Sequence, residues 1–127
     1  MEWTKGQIEG VVIKKLVKHV DERGFLVETF RIDELPEGVQ PLMSYVSYTE
    51  PGITRGPHEH KAQTDIFSFI GPGNFMVKLW DNRRDNKTYG NCMKFFAGED
   101  NPLTVIVPPG VVHGYKNVSK TTRGMVL

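Results

Sequence analysis

Hydrophobic and polar positions along this chain alternate with a period of two far more often than with the period of a helix. The pattern is clearest from Asn74 to Asp81, NFMVKLWD, where Phe75, Val77 and Leu79 would share one face. Other short runs rich in β-branched or aromatic residues are GVVIKKLVKHV from Gly10, FLVETFRI from Phe25, LMSYVSYT from Leu42, TDIFSFI from Thr64, LTVIVP from Leu103 and VVHGYKNV from Val111. Gly, Pro, Asn or Asp closes each run, and DERG turns the chain after Val20. RIDELPEG, Arg31 to Gly38, holds at most one turn of helix before Pro36 stops it. TTRGMVL ends the sequence on another strand-like run. Short strands at this spacing predict an all-β sandwich or barrel. Phe67, Phe75 and Trp80 are expected in its core.

Composition narrows the picture modestly. The 127 residues suit one domain, 1–127, and 39% hydrophobic with 24% charged is ordinary for a globular chain. A net charge of +1 gives no reason to expect nucleic acid or an anionic membrane as partner. Cys92 is the only cysteine, which excludes an internal disulfide and suits a reducing compartment; it is expected to be buried and inert. No apolar run approaches the roughly 20 residues of a membrane span, and no signal peptide is evident, so the expected location is the cytoplasm.

The candidate chemistry lies in TRGPHEHKAQTDIFSFIGPG, Thr54 to Gly73, and in VPPGVVHGYKNV, Val107 to Val118. If the first stretch is a regular strand, His58 and His60 point to one face. His113 would enter from a facing strand. Three imidazoles and the Asp65 carboxylate form a set that can bind one divalent metal. The same groups without metal form a proton-transfer site, because histidine titrates near neutrality. The third reading is a solvated strand end. His19 has no partner in sequence and is expected on the surface.

Pro108-x-Gly110-x-x-His113-x-x-x-Asn117 matches the second motif of the cupins at all four positions, and Gly52, His58, His60, Asp65 and Gly71 resemble the first. The resemblance implies a double-stranded β-helix, a jelly-roll barrel. It narrows further. IEGVVIKKLVKHVDERGFLVETFR, EPGITRGPHEH, DNRRDNKTYGN and VIVPPGVVHGYKNVS, in that order, resemble blocks of the dTDP-4-dehydrorhamnose 3,5-epimerase family. What the resemblance implies is an epimerase or isomerase that removes a proton beside the carbonyl of a nucleotide-linked keto-hexose. It implies no metal, a homodimer whose N-terminal strands cross to the partner, Arg23 and Arg55 on the diphosphate and sugar, and Phe25 and Glu28 on the nucleotide. His58 takes the place of the base, with His60 and His113 in the same pocket; Asp65 and Tyr115 join the substrate-binding candidates.

The sequence departs from the family at definite points. His60 stands where the family has Gln, Asp65 where it has the lysine that stabilises the enolate, and Met43 in place of a nucleotide-binding glutamine. RGMV occupies the region of the family's tyrosine acid. No counterpart is found for a later aspartate that orients the base. RGPHEHK also resembles the block of the sugar-nucleotide 3,4-ketoisomerases, which use a His pair without metal and share Gln63. Two other classes therefore stand beside the epimerase: a small metal-dependent cupin such as a dioxygenase, and a non-catalytic sugar- or nucleotide-binding cupin.

Overall fold

The computed structural model describes residues 3–127. Twelve strands follow one another: β1 (Thr4–Lys5), β2 (Val12–Lys15), β3 (His19–Asp21), β4 (Gly24–Leu26), β5 (Ser47–Thr49), β6 (Thr54–His58), β7 (Asp65–Phe69), β8 (Asn74–Asp81), β9 (Asn91–Gly98), β10 (Leu103–Val107), β11 (Val111–Asn117) and β12 (Gly124–Val126). A single 3₁₀ turn at Ile32–Glu34 is the helical element expected before Pro36. Among the described residues, no helix is long and apolar enough to cross a membrane.

The strands form a five-stranded sheet, β1-β9-β8-β11-β6, and a three-stranded sheet, β2-β10-β7, with two-stranded pairs β12-β5 and β3-β4 beside them. The two larger sheets share one apolar core. Phe75, Val77 and Leu79 of β8 and Val111 of β11 meet Phe69 of β7 and Val105 and Val107 of β10. The alternation read from Asn74 to Asp81 is the physical pattern of that strand, since Phe75, Val77, Leu79 and Asp81 are all buried. The result is the jelly-roll arrangement that the motifs implied.

Trp80 departs from expectation. The register that buries Leu79 and Asp81 turns Trp80 to the outer face of the sheet. There it lies half-buried, edge-on to Trp3 at 6.1 Å between ring centroids. Cys92 is directly across from Trp80 on β9 and is also only half-buried, not interior.

Two of the quoted blocks prove to be structural knots. Asp81 is 0% exposed and accepts from the backbone N–H and guanidinium of Arg83 and from the Thr88 hydroxyl. Arg83 in turn donates to the Glu9 carbonyl at 2.6 Å, tying the N-terminal segment to the β8–β9 loop. Asn117, the last residue of the second motif, is fully buried. It donates to the carbonyls of Thr49 and Thr122 and accepts from the Ser119 N–H. Both satisfy backbone groups that burial would otherwise leave unpaired.

The hairpin β3–β4 carries DERG at its turn, where the Arg23 guanidinium is paired with Asp21 and its side chain is 84% exposed. Every residue of both strands is exposed, His19, Val20, Phe25 and Leu26 included.

Candidate active site

His113 and His58 are direct neighbours across β11 and β6. Residues opposite one another in an antiparallel pair project to the same face. His113 and Tyr115 share that face as i and i+2, and Tyr115 pairs with Arg55. Arg55 and His58 are three residues apart yet meet partners two apart, because the register shifts between His113 and Tyr115. Gly56 makes the shift possible. Its φ is +98°, and a Cβ there would stand 2.8 Å from the His113 carbonyl oxygen.

His60 reaches the site by a different route than expected. β6 stops at His58, so the two histidines are not alternate residues of one strand. Beyond the strand end, the His60 carbonyl accepts from the Gly110 N–H at 2.9 Å, which fixes the departing chain against the Pro108–Gly110 turn. Glu59 points elsewhere, accepting from Asn82.

Asp65, at the start of β7, joins the two sides. Its Oδ2 lies 3.1 Å from His60 Nε2 and 3.2 Å from His113 Nε2. Gln63 donates to its Oδ1. Burial pushes the Asp65 carboxyl up, but hydrogen bonds from His113 and Gln63 and the adjacent imidazoles outweigh it and hold the group below its ordinary 3.8. His113 is 5% exposed, and its Nδ1 faces the Val111 carbonyl at 3.2 Å. Both nitrogens of that ring therefore face acceptors. Phe67 covers the ring at 5.2 Å between centroids.

His58 is different. It is exposed, its ring lies 6.3 Å from that of His113, and among the described residues no hydrogen bond engages it. The four-ligand set His58, His60, Asp65 and His113 is thus gathered only in part. The ligand atoms of His60, Asp65 and His113 lie within 4.8 Å of one another and are the three that could hold a cation.

A cavity of about 720 Å³ opens beside this cluster, between β7, β11 and the irregular segment 38–46, with Gln63, Asp65, Phe67 and Tyr115 on its wall. Tyr115 packs against Phe67, Phe69 and Phe75 at 5.8, 5.6 and 5.3 Å between centroids. Burial pushes its phenol up, against the opposing effects of Ser47 and Arg55. The Arg55 side chain donates to the Thr49 hydroxyl and the Tyr48 carbonyl. Met43, which replaces the family's glutamine, lines the same cavity. Arg23, Phe25 and Glu28 do not line it; they lie on or after the exposed hairpin. Sequence reasoning missed Phe67 as a site wall. Its place two residues after Asp65 on a strand was the available signal.

The sequence matches the model of the dTDP-4-dehydrorhamnose 3,5-epimerase family over residues 5–126, nearly the whole chain. The chain belongs to that family. Among curated relatives, a spore coat polysaccharide biosynthesis protein of Bacillus subtilis is 42% identical over 115 residues, which cover 90% of this chain and 74% of the relative. A probable low-salt glycan biosynthesis epimerase of Haloferax volcanii is 37% identical, over 87% of this chain and 71% of its own length. A dTDP sugar isomerase from Desulfovibrio desulfuricans has the same architecture, with a TM-score of 0.84, 26% identity and coverage of 94% of this chain and 74% of that one. As a member of the family the protein is an enzyme of the isomerase class, an epimerase or isomerase of sugars.

Proposed function

We propose that this epimerase acts on a nucleotide-linked keto-hexose, taking a proton from the carbon beside the carbonyl and returning one to the same carbon. The observation that carries the reading is a division of labour among three histidines. His60 and His113 are held by one carboxylate oxygen, whereas His58, directly across from His113, is unencumbered. A base needs a free lone pair aimed at the substrate, and His58 alone among the three has no competing partner. The His60–Asp65–His113 cluster would present two fixed imidazole rings to the enolate rather than a second base, since their nitrogens already face Asp65 and the Val111 carbonyl.

Asp65 alone would repel an enolate; here its Oδ2 faces both His60 and His113, at 3.1 and 3.2 Å. Arg55, paired with Tyr115 across β6 and β11, supports recognition of the diphosphate.

Arg23, Phe25 and Glu28 fit the nucleotide if the chain works as a homodimer. An exposed hairpin with Val20, Phe25 and Leu26 bare to solvent is what strand exchange with a partner would cover. The reaction needs no metal or other cofactor on this account, and the cytoplasm, where nucleotide-sugars are made, is the matching location.

The test is proton exchange. Protein incubated in D₂O with dTDP- or UDP-linked 4-keto-6-deoxyhexoses should place deuterium at a carbon flanking the carbonyl. Binding of these compounds with no exchange would leave a sugar-nucleotide-binding protein instead.

A further inference from the structure

The five-stranded sheet has a second face. Phe75, Val77 and Leu79 of β8 point into the core, and Tyr115 lies on that inner side, across from Val77. Alternation sends Lys78 and Trp80 outward. On β9, Lys94 is directly opposite Lys78 and Cys92 directly opposite Trp80, so all four side chains stand together on the outer face. Trp3 joins them from the residue before β1, which runs beside β9. These residues line a cavity of about 320 Å³, with the sheet between it and the pocket beside Asp65 and Tyr115.

We propose that this outer cavity binds a nucleotide, a flat ring carrying a phosphate, with the ring on Trp3 and Trp80 and the phosphate between Lys78 and Lys94. The site is separate from the one proposed for the keto-hexose and does not depend on that reading. Three observations carry it.

The first is charge. Lys78 and Lys94 are exposed and face one another, and among the described residues no ion pair includes either. Like charges directly opposite on a sheet destabilise it. The neighbouring strand adds no acid, since Gly114 and Val112 are the partners of Lys78 and Trp80 on β11. An anion between the two ammonium groups turns the repulsion into attraction.

The second is the pair of rings. Trp3 and Trp80 meet at 64°, so the face of one and the edge of the other border the same space, and Trp3 is 42% exposed. Bases stack on such surfaces whatever their identity. The third is size. About 320 Å³ is the scale of a pocket for one small molecule rather than for a length of chain.

A second copy of this chain is the other occupant that an apolar face invites. Laid on the same patch, it would bring a second lysine pair onto the first, four cations over an apolar floor with nothing to neutralise them. Charge therefore selects the small anion.

The chain's two tryptophans are both at this cavity, so tryptophan emission reports it directly. The experiment titrates dTMP, thymidine, inorganic phosphate and glucose 1-phosphate into the full chain and follows that emission. dTMP should quench it saturably, and less tightly as salt is added. Thymidine and phosphate each supply half of the ligand and should bind at least about tenfold more weakly. In Lys78→Gln/Lys94→Gln, dTMP affinity should fall about tenfold or more, the scale of losing hydrogen bonds to charged groups. Thermal melting checks the fold of that variant, and its deuterium exchange on a keto-hexose should stay within a few-fold of wild type. No saturable quenching by dTMP up to about 10 mM overturns the proposal. So does undiminished quenching in the double variant, or equal binding of glucose 1-phosphate, which has no flat ring. Emission that follows protein concentration instead of dTMP makes the patch a contact between copies and overturns it as well. Each of these outcomes leaves the proposed function standing.

Discussion

One oxygen of Asp65 holds His113: Oδ2 lies 3.2 Å from Nε2 of that ring, and the same oxygen lies 3.1 Å from His60. Asp65→Asn removes the negative charge that keeps both imidazoles donating toward it. The turnover number should fall by about 10²-fold, the scale of losing one preorganised donor to an oxyanion. A steady-state comparison at constant dTDP affinity checks this. Loss confined to KM would place Asp65 in binding.

Acid stability follows from the same residue and from Asp81. Both carboxyls are held below their ordinary 3.8: burial raises each, and hydrogen bonds from His113 and Gln63 to Asp65, or from Arg83 and Thr88 to Asp81, prevail. A depressed folded-state pKa contributes stability that is complete above the unfolded value and is lost as pH falls through the folded one. Unfolding midpoints should therefore be flat from neutrality down to about pH 4–5 and fall below 3.8. In Asp81→Asn that acid limb should be shallower.

Asp81→Ala tests whether the Asp81–Arg83–Thr88 knot is structural. It leaves Arg83 without its carboxylate beside a fully buried position, and breaking such a pair costs about 3 kcal/mol or more. Thermal unfolding should occur several degrees lower, with kcat per folded molecule unchanged. Normal stability with lost activity would move this loop into the active site.

Chelation separates the metal-free account from its rival. Incubation with EDTA should leave both the melting temperature and the exchange rate unchanged. A lowered melting temperature, or stoichiometric zinc, iron or manganese in protein purified without chelator, would make His60, Asp65 and His113 metal ligands.

Much of the fold was legible in the sequence because burial on one face enforces period two. Asn74 to Asp81 is one strand from end to end for that reason. β9 was not read, and β6 was read only as a conditional strand running on through His60. Gly56 and Pro57 interrupt β6, and lysine and glycine dilute the apolar signal of Asn91–Gly98. The runs from Phe25 and Leu42 proved mostly irregular, since only Gly24–Leu26 and Ser47–Thr49 find pairing partners. Within the site, the facing of His58 and His113 was legible from two motifs. That Asp65 would bridge His60 and His113 was not, because it depends on where β6 ends. Strand ends are set by partners distant in sequence, here the Gly110 N–H that takes the His60 carbonyl. The same limit applies to Trp80, whose outward face follows from the register that buries Asp81.

Solvent deuterium exchange by His58→Asn tests the central claim most directly. The unencumbered histidine, and not the carboxylate-held pair, is the base. With a dTDP-linked 4-keto-6-deoxyhexose, His58→Asn should lose at least about two orders of magnitude in exchange while dTDP affinity stays within a few-fold of wild type. Exchange at the wild-type rate in His58→Asn, with loss in His60→Asn, would contradict the account and make the His60–Asp65 pair the base.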